Sequence, residues 1–74
     1  MPLYKDVDRD SGVVRYEYGA DWIEVQFRDG KIYRYTYFSA GVQLIEEMKR
    51  LANKGEGLNA YINKFVSKLY ESKR

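Results

Sequence analysis

Residues 22–37 read WIEVQFRDGKIYRYTY, and the fold turns on how this stretch is paired. Two runs that alternate apolar and polar residues flank Arg28-Asp29-Gly30, the pattern of a β-hairpin. A two-residue Asp29-Gly30 loop would set Val25 opposite Arg34 and Ile23 opposite Thr36, mixing apolar and polar side chains on one face. A three-residue loop, with Gly30 in the left-handed region, instead pairs Phe27 with Lys31, Val25 with Tyr33 and Ile23 with Tyr35. Ile23, Val25, Phe27, Tyr33, Tyr35 and Tyr37 then share a face. A one-residue slip reverses every side chain, so the three-residue loop is the expected one.

Outward from the hairpin, residues 13–18 alternate in the same way and predict a preceding strand. A two- or four-residue connection around Gly19-Ala20-Asp21 places Val14, Tyr16 and Tyr18 on the core face. Downstream, Ser39 is the expected N-cap of a helix over residues 40–53, whose apolar positions are Val42, Leu44, Ile45, Met48, Leu51 and Ala52. Gly55-Glu56-Gly57 ends it. Leu58, Ile62, Phe65, Val66, Leu69 and Tyr70 mark a second amphipathic helix that fades at residues 71–74. The expected architecture is α+β: a three-stranded antiparallel meander followed by two amphipathic helices packed on one face. Residues 1–12 read as a loosely held acidic arm and residues 13–74 as a single domain.

Composition excludes several kinds of chemistry. The 74 residues contain no Cys and no His, which removes disulfides, thiol nucleophiles, typical zinc sites and His-based triads. Asp6, Asp8 and Asp10 resemble the opening of a calcium loop, but the later Gly and Glu positions are not satisfied. Gly55-Glu56-Gly57 lacks the length and the Lys-Ser/Thr of a phosphate loop. No carboxylate pair is forced into an apolar cleft by its spacing, so the chain is read as non-catalytic, with no cofactor and no small-molecule substrate. No apolar run approaches a membrane span and no signal-like segment follows Met1, so a cytoplasmic protein is expected. Charge is uneven: residues 1–30 hold four basic and seven acidic side chains, residues 31–74 nine basic and four acidic.

The segment FRDGKIYRY, residues 27–35, resembles the KTSC family, a short domain named for its occurrence at the C-terminus of some lysyl-tRNA synthetases and also found as a stand-alone bacterial protein. The likeness rests on an alternating strand, a Gly-containing turn and Tyr33-x-Tyr35, followed by a helix and a glycine-bearing connection at Ala52-Asn53-Lys54-Gly55. It extends over roughly residues 11–70. The family's usual Ser-Lys-Gly stands here as Asn53-Lys54-Gly55, and Leu58 replaces, at a shifted spacing, the aromatic that follows. The resemblance implies RNA binding, through the family's context on a tRNA synthetase.

The register assigns Tyr33 and Tyr35, with Gly55, to structure rather than recognition, because both rings face the side that the helices cover. The opposite face presents Trp22, Gln26, Arg28, Ile32 and Arg34, with Arg15 from the first strand. Trp22 is the candidate stacking platform, and Arg15, Arg28 and Arg34 the candidate phosphate contacts. Glu17 and Glu24 share that face, and cross-strand Arg–Glu pairs are its ordinary structural explanation. The alternative partner is another protein, including a second copy docked through Trp22. Lys49, Arg50, Lys54, Lys64 and Lys68 form a second, helical basic surface, for which solubility is the simpler explanation.

Overall fold

The computed structural model describes residues 2–5 and 12–74. Strands β1 (Val13–Tyr18), β2 (Trp22–Phe27) and β3 (Ile32–Thr36) form the expected antiparallel meander. Ile23 pairs with Tyr35 and Val25 with Tyr33, the register that puts the apolar set on one side. The β2–β3 loop is Arg28-Asp29-Gly30: the Phe27 amide donates to the Lys31 carbonyl at 2.9 Å, and Gly30 has φ 89°. Asp29 Oδ1 accepts from the Lys31 amide at 2.9 Å, which fixes the turn from within. Four residues separate the paired Tyr18 and Ile23, so the first connection is the longer of the two expected.

Two strand details differ from expectation. A β-bulge between Val13 and Arg15 shifts the register at the start of β1, so Val13 is buried and Val14 is not. The sheet also has a fourth strand. The chain expected to fade after the last helix returns along the open edge of β3 as β4 (Ser72–Lys73), with Tyr33 opposite Lys73 and Arg34 opposite Ser72. Arg74 exchanges both backbone hydrogen bonds with Ile32, at 2.7 and 2.8 Å. A row of unsatisfied amides and carbonyls on β3 is thereby paired, which explains why a polar tail without apolar alternation forms a strand.

The helices begin and end differently from the simple apolar pattern. Thr36, not Ser39, is the first N-cap. Thr36 and Ser39 exchange side-chain bonds to each other's amides at 3.0 Å, a capping box around the one-turn helix α1 (Tyr37–Ala40). Gly41, at φ 93°, then breaks the chain before α2 (Val42–Lys54), which buries Ile45, Met48, Leu51 and Ala52. Gly55 closes α2 in the left-handed conformation, its amide bonded to the Leu51 carbonyl. The last helix, α3 (Leu58–Tyr61), runs into a π-helical turn (Ile62–Val66) and stops short of the expected residue 70. The wider turn leaves Phe65, Leu69 and Tyr70 exposed, although Ile62 and Val66 stay buried.

Ile23, Val25 and Tyr35 from the sheet meet Ile45, Met48, Leu58, Ile62 and Val66 from the helices in one core. Residues 2–5, the described part of the arm, lie along β1. The Tyr4 amide donates to the Val14 carbonyl at 2.8 Å, and the buried Tyr4 ring meets Tyr16 edge-on. Its hydroxyl accepts from the Leu58 amide at 3.2 Å, satisfying a first-turn donor that the N-cap Gly57 cannot. The rest of the arm, with Asp6, Asp8 and Asp10, lies outside the described residues.

Candidate binding face and adjoining cleft

Alternation along the strands sends Trp22, Glu24 and Gln26 from β2, Ile32 and Arg34 from β3, and Arg15 and Glu17 from β1 to the side away from the helices. They lie in rows across the sheet. Arg15, Gln26 and Ile32 are successive partners, with Arg74 beyond them. Glu17, Glu24 and Arg34 form the next row, with Ser72 beyond. Leu3, bridged to Arg15, extends the first row and is exposed.

At the centre of the face Glu24 is only 5% exposed. A carboxylate in that position needs charged or hydrogen-bonding partners, and two arginines supply them. Arg34 Nη1 donates to Oε2 at 3.1 Å and Arg74 Nη2 to Oε1 at 3.1 Å. Arg34 also lies over the Trp22 ring, its guanidinium carbon 4.4 Å from the centroid. The indole in turn presses on the first turn: a Cβ built on Gly19 would sit 2.2 Å from Trp22 Nε1. Trp22 is therefore half-buried and held between a backbone and a guanidinium rather than standing as a bare platform.

The remaining expected residues are spread more loosely. Gln26 reaches the Gly30 carbonyl at 3.5 Å, and Ile32 is half-buried between Gln26 and the Arg74 backbone. Arg15 and Arg28 are exposed, and the Arg28 amide donates to the Gly12 carbonyl at 2.9 Å. Arg34 and Trp22 are in contact, Arg15 lies in line with Ile32, and Arg28 stands at the hairpin end. Sequence reasoning missed Arg74, because only the unexpected β4 brings it to Glu24.

The helical basic surface is largely neutralised. Lys49 pairs with Glu46 at 2.8 Å and donates to the Ala20 carbonyl at 2.9 Å, Arg50 pairs with Glu47, and Lys54 with Glu56 at 3.0 Å. Lys49's hydrogen bond, then that of the Tyr37 hydroxyl, holds the Glu46 carboxyl below the ordinary glutamate range. That same bond to Glu46 raises the Tyr37 phenol. Asn53 clamps two β1 tyrosines: Nδ2 donates to the Tyr18 hydroxyl at 2.8 Å and Oδ1 accepts from Tyr16 at 3.3 Å. Asn53 and Gly55, both in the glycine-bearing connection, thus have structural roles, one as a clamp and one as a helix cap.

On the other side of the hairpin tip, a cleft of about 260 Å³ opens between β2–β3 and the last helix. Buried Tyr35 and Ile62 and half-buried Phe27 and Tyr33 form its walls. Exposed Asp29, Asn63 and Ser67 stand at its mouth. The Tyr35 phenol is pushed up by burial, with smaller contributions from Tyr33 and Tyr70, so it stays protonated as a neutral donor. No group of three His, Cys, Asp or Glu side chains fit to hold a metal occurs among the described residues. None of the described helices is long and apolar enough to cross a membrane. Comparison with protein-family models, curated proteins and solved structures found no match.

Proposed function

We propose that this chain is a small non-catalytic binding module, and that its helix-free sheet face takes single-stranded RNA. The observation that carries this reading is the arrangement around Glu24. Its charge is met by two arginines, and with Arg15, Arg28, Arg34 and Arg74 set against Glu17 and Glu24 the face carries a formal basic excess. Guanidinium planes accept stacked bases, and arginines contact phosphates without reading sequence. The resemblance of residues 27–35 to the KTSC family points the same way. A homodimer through Trp22 has less support, since that ring is already packed on Gly19 and Arg34.

Fluorescence anisotropy with a labelled single-stranded oligoribonucleotide, titrated across salt concentrations, tests the proposal. Three phosphate contacts on a single strand predict a log–log salt slope of about −2. Arg15→Gln and Arg28→Gln should each reduce that slope by about 0.7, with circular dichroism used to compare only variants that keep the wild-type fold. Absence of binding at low salt, or binding without salt dependence, would remove the RNA reading. Sedimentation at several concentrations gives the state of association, and a dimer lost on Trp22→Ala would favour the protein-partner alternative.

A further inference from the structure

From the cleft behind the hairpin tip, we infer a second binding site, specific for a guanine-type base. Two independent observations meet there. One is the cleft itself, about 260 Å³, with aromatic walls from Phe27 and Tyr33. The other is the π-helical turn Ile62–Val66, which brings Ile62 and Asn63 to the same opening. Helices rarely adopt this wider turn, because it costs regular hydrogen bonding, and where they do it is frequently at a functional site.

Size and charge narrow the ligand. Sites for drug-sized molecules usually begin near 300 Å³, so a cleft of about 260 Å³ suits one planar ring system. The charged side chain at its mouth is a carboxylate, Asp29; no Lys or Arg is among the described lining residues, although Lys73 Nζ lies 5.7 Å from the centroid of the Tyr33 ring. Asp29 therefore matches a ring carrying N–H donors. Asp29 already uses Oδ1 on the Lys31 amide, which fixes the orientation of the group. Guanine offers a carboxylate two adjacent donors, N1–H and N2–H. Adenine and cytosine offer one exocyclic amine and uracil one imide N–H, so guanine alone can engage the carboxylate bidentately. Asn63 and Ser67, each a donor and an acceptor, line the same opening. The site stands independently of the RNA reading, because a free nucleoside and a base splayed out of a strand present the same edge.

Backbone amide NMR titration of the isotope-labelled chain with guanosine, adenosine, cytidine and uridine at millimolar concentration tests this site. Guanosine should shift the amides of Asp29, Asn63 and Ser67 and leave those of Trp22 and Arg15 unmoved. Asp29→Asn retains an oxygen for the Lys31 amide but loses the charge, and should weaken guanosine binding about tenfold or more with an unchanged native spectrum. Adding a guanine-free and a guanine-containing oligoribonucleotide separates the two sources: shifts at the cleft with the latter assign an RNA base, shifts with guanosine alone a free nucleoside. No cleft shifts with guanosine or the guanine-containing strand, equal shifts with all four nucleosides, or undiminished binding by Asp29→Asn would overturn the inference.

Discussion

Replacing Glu24 by alanine tests how the open face is held together. The substitution removes the acceptor of two arginines and leaves their guanidinium groups near one another. Hydrogen bonds to charged groups contribute about 1.5–3 kcal/mol where water is excluded, and exposed ion pairs about 0–1 kcal/mol. The Glu24 side chain is 7% exposed, but Arg34 is 30% and Arg74 65% exposed, so the Arg34 pair takes the bottom of the buried range and the Arg74 pair the exposed one. Allowing roughly 1.5 kcal/mol for Arg34 and about 0.5 kcal/mol for Arg74 gives a loss near 2 kcal/mol. In a domain of this size that lowers the thermal midpoint by about 8–16 °C. Circular dichroism melts of Glu24→Ala, Arg74→Ala and the double variant measure it. The cycle should return a Glu24–Arg74 coupling of about 0.5 kcal/mol, and amide exchange at Ile32 should quicken as β4 loses its anchor. A Glu24→Ala midpoint within about 2 °C of wild type would refute the view that this carboxylate organises the face.

Two further outcomes follow from the glycines and the helix surface. Gly30→Ala meets open space at φ 89° and should cost only the backbone penalty, about 1–2 kcal/mol. Gly55→Ala adds a contact of 2.6 Å with Lys5 Cβ at φ 86° and should cost more, loosening Tyr4 as well. Urea midpoints rank the two, and the reverse order would contradict the anchoring of residues 2–5. Glu46 and Glu47 both titrate below the ordinary 4.5 in the fold, held down chiefly by hydrogen bonds from Lys49 and Arg50. Stability from a depressed carboxyl is complete above its unfolded pKa and is lost as pH falls through the folded value. The Glu46→Gln/Glu47→Gln variant should therefore melt below wild type at neutral pH and converge with it in acid, and a gap that persists in acid would contradict the assignment.

Much of the fold was legible because burial on one side forces a period of two. The alternation at residues 22–37 allowed one hairpin register, and Gly30 could serve in that register's turn. The Glu24–Arg34 pair followed from the same register. Features outside that pattern were not legible. Val13 replaces Val14 in the core through a bulge beside the chain segment carrying Tyr4, a tertiary effect without a local signal. The sequence Glu71-Ser72-Lys73-Arg74 has no apolar alternation, and it becomes a strand edge only because β3 has an unpaired side. Arg74 could not be placed on Glu24 without it.

The last helix is where local reasoning and structure part most clearly. A regular helix carries Leu58, Ile62, Phe65 and Leu69 on one stripe, and a ring at position 65 belongs in the core. The π-helical turn instead leaves Phe65 about half exposed, its ring against Tyr61 at 4.8 Å between centroids, and a cleft opens beside Ile62 and Asn63. Sequences that specify a fold usually agree with it at every level, and departures concentrate where function imposes another demand. Tyr33 and Tyr35 stand where the two features meet. Packing explains their rings, since they stack at 6.4 Å on the covered side of the sheet, yet both also line the space that the irregular helix leaves unfilled.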